Sequence, residues 1–205
     1  MGKIEQNKQQ KKESLLDSAF SLFTSKGIHK TSISDIVEKS GVAKGTFYLY
    51  FKDKYDIRNR LISHKASQLF INAERALART DITDFVDQML FIVDHIINQF
   101  CENQSLLLFI SKNLSWGMFK TSLTTPSDDD TDFSIIYDKV ISQKQYTFKD
   151  PEVMLFMIIE LASSTCYSSI LYSEPVGIEE LKPHLYESIR SIIRIHTVDA
   201  DKNDQ

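Results

Sequence analysis

The residues best suited to chemistry concentrate in one short stretch, Thr31–Lys54, with the sequence TSISDIVEKSGVAKGTFYLYFKDK. Its second half brings two tyrosines and three lysines close together. Lysine side chains can donate to phosphate oxygens or to guanine O6 and N7, and polar side chains such as tyrosine hydroxyls contact the sugar-phosphate chain. A helix that only supported a hydrophobic core would not need this group, so the stretch predicts contact with DNA.

Two short helical patterns, separated by a glycine, position these side chains. The first begins after Ser32, whose hydroxyl can cap it, with Asp35 three residues on as in a capping box. The second covers about residues 43–51 and directs Phe47 and Phe51, four residues apart, toward the core. The remaining side chains then lie on the outer faces. This is the organisation of a helix-turn-helix, whose second helix enters the major groove.

A third helix is predicted ahead of this pair, over about residues 11–26, from apolar residues spaced by three and four and a closing glycine. Residues 1–10 are polar and are expected to be flexible.

Charge is divided along the chain. Residues 1–60 hold 12 Lys and Arg against 7 Asp and Glu, whereas residues 61–205 hold 12 against 21. A basic segment at residues 1–60 joined to an acidic segment at residues 61–205 favours an anionic partner for the first segment alone.

Residues 11–60 resemble the N-terminal DNA-binding domain of the tetracycline-repressor (TetR) family. That family's pattern runs through an apolar helix, Gly, Thr-Ser/Thr, Ile, a short helix and G-V-x-x-x-T-[FL]-Y-x-[YH]-F-x-x-K. The matching positions here are Gly27, Thr31, Ile33, Ile36, Gly41, Val42, Thr46, Phe47, Tyr48, Tyr50, Phe51 and Lys54. The resemblance implies a homeodomain-like three-helix domain at about residues 11–57. One position departs from the family's habit, because Ala43 stands where Ser or Thr often caps the recognition helix.

By the same resemblance, the DNA-contact positions are Ser32, Lys44, Gly45, Thr46, Tyr48, Tyr50 and Lys54. We expect Lys44, Gly45 and Thr46 to face the bases and the other four to anchor phosphates. A plainer interpretation stays open, in which the tyrosines are half-buried core residues and the lysines are only solvated.

The rest of the chain, residues 58–197, reads as a helical ligand-binding and dimerisation domain, which makes the protein all-α with about nine helices. Helices are predicted at about residues 53–77, 82–101, 105–120, 133–144, 152–172 and 178–196. A loop is predicted at 121–132 and a disordered tail at 198–205. The last two helices carry more apolar surface than one copy of this domain can cover, so they predict a homodimer. A well-buried monomer core is the alternative.

A small-molecule effector of unidentified structure is a further expectation, because the resembled family holds a ligand cavity in its helical body. Aromatic and polar residues among apolar helices are the candidates for its wall: His95, Phe109, Trp116, Tyr137, Cys166 and Tyr167. Ordinary core packing is the competing interpretation for each of them.

No catalytic motif appears in the sequence, so we expect neither an enzyme nor a bound cofactor or metal. The three aspartates at 128–130 lack the ligand spacing and turn glycine of a cation site. No apolar run approaches a membrane span and no leader segment is recognised, which predicts a cytoplasmic protein. The leading function is a sequence-specific transcriptional regulator, a ligand-released repressor that binds a near-palindromic operator as a dimer. The alternatives are a helical enzyme and a protein-binding module that uses a helix-turn-helix fold.

Overall fold

The computed structural model describes residues 2–111 and 145–198. They form eight α-helices: α1 (Lys3–Lys26), α2 (Ile33–Ser40), α3 (Lys44–Tyr50), α4 (Lys54–Leu77), α5 (Phe85–Glu102), α6 (Gln104–Ser111), α7 (Pro151–Tyr172) and α8 (Ile178–His196). Within these ranges the extended backbone forms only an isolated bridge between Phe148 and Thr197. The all-helical prediction is therefore confirmed. The chain divides into two compact units, with the boundary between Lys65 and Ala66 inside α4.

The first unit contains α1, α2, α3 and the first half of α4. Its buried side chains come from each of these helices at helical spacing: Leu15, Leu16, Ala19, Phe23, Ile36, Val37, Phe47, Phe51, Ile57, Leu61 and Ile62. Phe47 and Phe51 are 0% and 1% exposed, and their ring centroids lie 5.6 Å apart. The predicted core side of the second motif helix is confirmed. Because these two rings are fixed inside, the opposite face of α3 must point outward.

The first helix starts about two turns earlier than predicted. α1 begins at Lys3, whereas the sequence pattern predicted a start near residue 11 after a flexible segment. The apolar repeat does begin near Leu15, but the residues before it are mostly lysine, glutamine and glutamate. These are good helix formers, and neither Gly nor Pro interrupts residues 3–26, so the helix continues beyond its buried part.

The second unit is built on α5, α7 and α8, which supply one cluster of buried side chains: Phe85, Met89, Leu90, Val93, Ile97, Met154, Leu155, Ile158, Cys166, Leu185, Ile189 and Ile193. Polar side chains also join α5 to α8. Arg190 lies 3.2 Å from Asp87, and Lys182 lies 3.1 Å from Asp94. Because the partner numbers fall along α8 as they rise along α5, the two helices run antiparallel.

Hydrogen bonds from Tyr186 and Lys182 set the ionisation of Asp94 in this seam. Burial opposes the charge of the carboxylate, yet the two donors outweigh it and lower the pKa of Asp94. Burial and the bond to Asp94 raise the pKa of Tyr186. The seam therefore holds a charged carboxylate against a neutral phenol at neutral pH, and it fixes α8 against α5.

Helix boundaries in the second unit follow local capping. α5 begins at Phe85 and not near residue 82, because the carboxylate of Asp84 accepts from the Asp87 amide at 3.1 Å. α7 and α8 begin within a residue of their predicted starts. α6 is described as far as Ser111. The predicted helix at 133–144 and loop at 121–132 lie outside the described residues, as do Trp116 and Tyr137.

Among the described helices, α7 alone is long and apolar enough to cross a bilayer by length and composition, and 28% of its most apolar window is buried. It carries Glu152 and Glu160, and its inner side belongs to the core of the second unit. Outside that core, Val153, Phe156, Met157 and Tyr172 are its exposed large apolar side chains.

Candidate nucleic-acid interface and ligand cavity

The turn between α2 and α3 is shaped by a left-handed glycine. Gly41 has φ 67° and ψ 21°, and its amide donates to the carbonyl of Glu38 at 3.3 Å. The next amide, that of Val42, donates to Val37 at 3.1 Å. Residues with a Cβ adopt this conformation reluctantly, whereas glycine does so freely and commonly ends helices this way. The turn therefore fixes where α3 begins.

The start of α2 is held by the predicted capping box. The Asp35 amide donates to the Ser32 hydroxyl at 3.1 Å, and the Ser32 amide donates to the Asp35 carboxylate at 2.7 Å. Lys26, at the end of α1, lies 2.8 Å from the same carboxylate. The hydrogen bond from Lys26, followed by those from Ser32, lowers the pKa of Asp35 to about 2. Asp35 therefore joins two helices while it is ionised.

The outer face of α3 collects most of the predicted contact residues. Lys44 and Gly45 are exposed, Tyr48 is 54% exposed, and Thr46 and Tyr50 are half-buried. A Cβ at Gly45 would meet nothing within 4 Å. The protein itself therefore does not require a glycine there, although a glycine inside a helix costs about 1 kcal/mol relative to alanine. The bare backbone leaves room for close approach of a partner from outside.

Leu49 belongs to this face and was missed by the sequence analysis. Its side chain is 79% exposed, one of the most exposed large hydrophobic residues in the described part of the chain. It follows Gly45 by one helical turn, on the side of α3 opposite Phe47 and Phe51. That offset from the buried rings is the signal that predicts its exposure.

Lys54, the remaining predicted lysine, binds the protein's own backbone. Its ammonium donates to the backbone carbonyls of Ile28, His29 and Thr31 at 3.0, 3.3 and 3.2 Å. An ammonium has three protons, so these bonds use its full donor capacity. Thr31, 1% exposed, donates to the Gly27 carbonyl at 2.8 Å in the same turn. Lys54 thus holds the segment between α1 and α2 against the start of α4.

A cavity of about 100 Å³ lies in the second unit, between α4, α5, α6 and α7. Its wall consists of Ala66, Leu69, Phe70, Met89, Ile92, Val93, Ile96, Ile97, Phe100, Ile110, Leu155, Ile158, Ile159, Ala162, Ser163 and Cys166. Burial raises the pKa of the Cys166 thiol to about 12, so the thiol stays protonated at neutral pH. Cavities of this kind stay dry and accept apolar molecules.

The structure places the predicted ligand residues in different surroundings. Cys166 lines the apolar cavity, and Tyr167 lines a separate polar cleft with Glu160 and neighbouring serines. Among the described residues, the wall contributed by α6 is Ile110, and Phe109 is buried elsewhere. The ring of His95 stacks on Phe91 at 6.1 Å. The apolar wall from α4 and α5, which includes Phe70, was not predicted as a ligand surface.

One face of α7 is apolar and exposed near the start of the helix. Val153, Phe156 and Met157 are 49%, 38% and 42% exposed, and Tyr172 at the end of the helix is 60% exposed. Along the same stripe follow the exposed Glu160 and Ser164. Large apolar side chains grouped on one helix face mark a surface for association.

No group of three or more His, Cys, Asp or Glu side chains is placed to hold a metal ion in residues 2–111 and 145–198. The aspartates at 128–130 lie outside those ranges.

Comparison with known proteins agrees with this geometry. A sequence profile described as "Bacterial regulatory proteins, tetR family" matches residues 15–61, which include all of α2 and α3. The uncharacterized HTH-type transcriptional regulator YvdT of Bacillus subtilis is 44% identical over 63 residues, which span 29% of this chain and 32% of that protein. The chain thus aligns with only about a third of that relative's length.

Two further matches extend beyond the first unit. The transposon Tn10 TetC protein of Escherichia coli is 30% identical over 146 residues, 69% of this chain and 71% of that protein. The solved structure of the transcriptional regulator FadR from Bacillus subtilis in complex with stearoyl-CoA superimposes with a TM-score of 0.62. It covers 88% of this chain and 98% of its own, at 19% identity, so it shows a shared fold.

Proposed function

The chain belongs to the TetR family of bacterial regulatory proteins, and we propose that it is a sequence-specific DNA-binding transcriptional repressor that a small molecule releases from its operator. The observation that carries this proposal is the outer face of α3. That face is fixed from behind by the buried rings of Phe47 and Phe51 and at its start by the left-handed turn at Gly41. Rigid backing of this kind lets a short helix present side chains to base edges reproducibly.

Lys44, Gly45 and Thr46, at the start of α3, form the base-facing group of this proposal. Lys44 donates to guanine O6 or N7, and Gly45 allows the backbone to come close to the groove floor. We add Leu49 to this group, since an exposed apolar side chain one turn after Gly45 suits the methyl group of thymine.

Tyr48 and Tyr50 are the proposed phosphate anchors on α3, with Ser32 at the start of α2. The Ser32 hydroxyl accepts from the Asp35 amide and keeps its own proton for a phosphate oxygen. Lys54 differs, because its three N–H groups already donate hydrogen bonds to backbone carbonyls in the turn before α2. We propose that Lys54 supports DNA binding mainly by holding that turn in place.

Two copies of the chain are proposed to pair through α7 and α8. The exposed apolar face of α7 supports this, since a second copy related by a two-fold axis would cover it with the same face. A symmetric pair presents two α3 helices to half-sites one DNA turn apart, or a multiple of it. The operator is therefore near-palindromic.

The effector is proposed to be a lipophilic molecule that enters the apolar cavity of the second unit. Every helix around the cavity supplies apolar side chains, and a structure with the same fold was solved with stearoyl-CoA. A long acyl chain that enters this cavity is proposed to widen it by displacing the surrounding helices. A ligand that prefers the widened state shifts the population toward that state.

Helix α4 is the proposed link between effector and operator. Ala66, Leu69 and Phe70 line the cavity, and the same continuous helix begins at Lys54 in the first unit. Displacement of this helix would change the presentation of α3 and weaken operator binding. The proposed site of action is the cytoplasm, with no enzymatic activity and no cofactor beyond the effector.

A protein-binding module with a helix-turn-helix fold is the competing function, and the exposed Leu49 is the feature that favours it. Apolar exposure at the centre of α3 suits a protein groove as well as a thymine methyl. Binding to duplex DNA with a steep salt dependence separates the two functions, because protein grooves do not release condensed counterions.

Selection of bound fragments from sheared genomic DNA of the source organism tests the proposal and names the regulated genes. We expect recovery of one near-palindromic sequence, followed by its release when saturated fatty acids of 8 to about 18 carbons are added in series. Recovery of no sequence above background would overturn the DNA-binding function. Recovery without release by any chain length would overturn the effector class alone.

A further inference from the structure

The first three turns of α1 extend beyond the packed part of the first unit. The buried residues of this helix begin at Leu15, whereas residues 2–8 are all exposed and residues 9–13 are exposed or half-buried. From Lys3 to Ser14 a helix rises about 16 Å. We call residues 3–13 the N-terminal arm.

The position of the arm is fixed by two contacts between α1 and α2. Lys26 at the end of α1 pairs with Asp35 at the start of α2, and the Ser14 hydroxyl donates to the carbonyl of Ser40, the last residue of α2, at 3.1 Å. The helices are therefore antiparallel, and the arm continues past the end of α2. The arm therefore projects from the same end of the first unit as the α2–α3 turn, which is followed by Lys44 at the start of α3.

The arm carries one sign of charge in excess. It holds Lys3, Lys8, Lys11 and Lys12 against Glu5 and Glu13, and the Glu13 carboxylate accepts a hydrogen bond from Gln9 within the helix. Exposed lysines that meet phosphates release condensed counterions, which makes such contacts favourable without any sequence preference. Lysine side chains are long enough to reach phosphates that the helix itself does not touch.

We propose that the N-terminal arm is a second DNA-contact element, which binds the phosphate chain next to the half-site occupied by α3. This inference rests on the proposed function of α3. Charge complementarity favours a duplex over other partners, and the arm projects past the α2–α3 turn, beside which the operator would lie. The arm adds affinity for any duplex, and α3 supplies the sequence preference.

Replacement of Lys3, Lys8 and Lys11 by glutamine in the full chain tests the arm, since glutamine forms helices about as well as lysine. The plot of log K against log salt should become shallower by about 0.9 for each phosphate that the arm no longer neutralises. Affinity at about 0.1 M salt should fall about tenfold, by the same factor for the operator and for an unrelated duplex. The triple replacement of Arg75, Arg79 and Lys149 by glutamine, which removes the same charge from exposed positions of the second unit, should leave the slope unchanged.

Replacement of the three arm lysines by arginine keeps the charge and should restore the wild-type slope, which guards against misfolding as the cause. If the wild-type chain selects an operator and the glutamine variant keeps its slope and affinity, the arm inference is overturned and the proposed function of α3 stands. If the wild-type chain binds no duplex, both fail together. An equal decrease in affinity for the glutamine variant and for the second-unit control would also overturn the arm inference, because net charge alone would then explain the effect.

Discussion

Lys44 and Lys54 carry the same charge but meet different surroundings, and this difference defines their roles. Lys44 is exposed at the start of α3, whereas the ammonium of Lys54 donates to three backbone carbonyls. The resemblance to the family assigned both residues to DNA contact, because a sequence pattern shows which positions match and not which donors are already used. The contact of Lys54 with a phosphate stays a prediction, and the three hydrogen bonds of its ammonium favour support of the segment between α1 and α2.

Replacement of Lys54 by methionine should therefore weaken operator binding without changing the salt slope. Removal of three bonds to a charged donor should destabilise the folded chain by about 1–3 kcal/mol. Urea unfolding and salt titrations on the operator measure the two effects. The control is Lys52→Met, an exposed lysine two residues earlier, which should leave the free energy of unfolding nearly unchanged. A slope reduced by about 0.9 with unchanged stability would instead place Lys54 on a phosphate.

Asp35 gives a pH dependence whose direction follows from its lowered pKa. Its folded pKa is about 2, below the ordinary value near 4 in the unfolded chain. The carboxylate therefore contributes stability that is fully present above about pH 4 and is lost as the pH falls toward 2. We predict that wild-type protein is more stable than Asp35→Asn at pH 6, and that the difference disappears near pH 2. Urea unfolding of both proteins across this range measures it; a constant difference would contradict the prediction.

At the scale of helices, local signals and packing signals predicted different parts of the structure. The capping box at Ser32, the turn at Gly41 and the bounds of α8 were all predictable, because each depends on neighbouring residues alone. The start of α1 was not, since helix propensity alone, without a side-chain cap or an apolar repeat, does not mark where a solvated helix begins. The cavity wall was not predictable either, because apolar residues of α4, α5, α6 and α7 meet only in the folded second unit.

A cavity-filling substitution tests whether this wall receives the effector. Ala162→Leu adds three carbons at the cavity, and overpacking of this kind costs about 1–3 kcal/mol. If the effector must occupy that space, release of the operator should need about tenfold more fatty acid, while operator affinity in its absence stays unchanged. The control is Ala78→Leu, an exposed alanine just after α4. Equal sensitivity of the two variants would place the effector elsewhere.

At the scale of the whole molecule, we expect the exposed apolar side chains of α7 to pair two copies of the chain. Phe156→Glu places a charge in the middle of this face and should convert a dimer into monomers, as measured by sedimentation at micromolar concentration. Operator binding should weaken strongly, because one copy then contacts only one half-site. Gln104→Glu adds the same charge at an exposed position of α6 and should leave the assembly intact. A wild-type chain that sediments as a monomer would contradict the proposed pairing.

Selection from a pool of random duplexes, carried out in parallel with wild-type protein, Lys44→Ala and Lys39→Ala, tests most directly whether α3 reads DNA sequence. We predict one near-palindromic motif for the wild type. Lys44→Ala should lose the preference at one base pair of each half-site, worth about 1–3 kcal/mol. Lys39→Ala, which removes an exposed lysine from α2, should keep the motif. The absence of any enriched sequence, or an identical motif for wild type and Lys44→Ala, would contradict the reading of bases by α3.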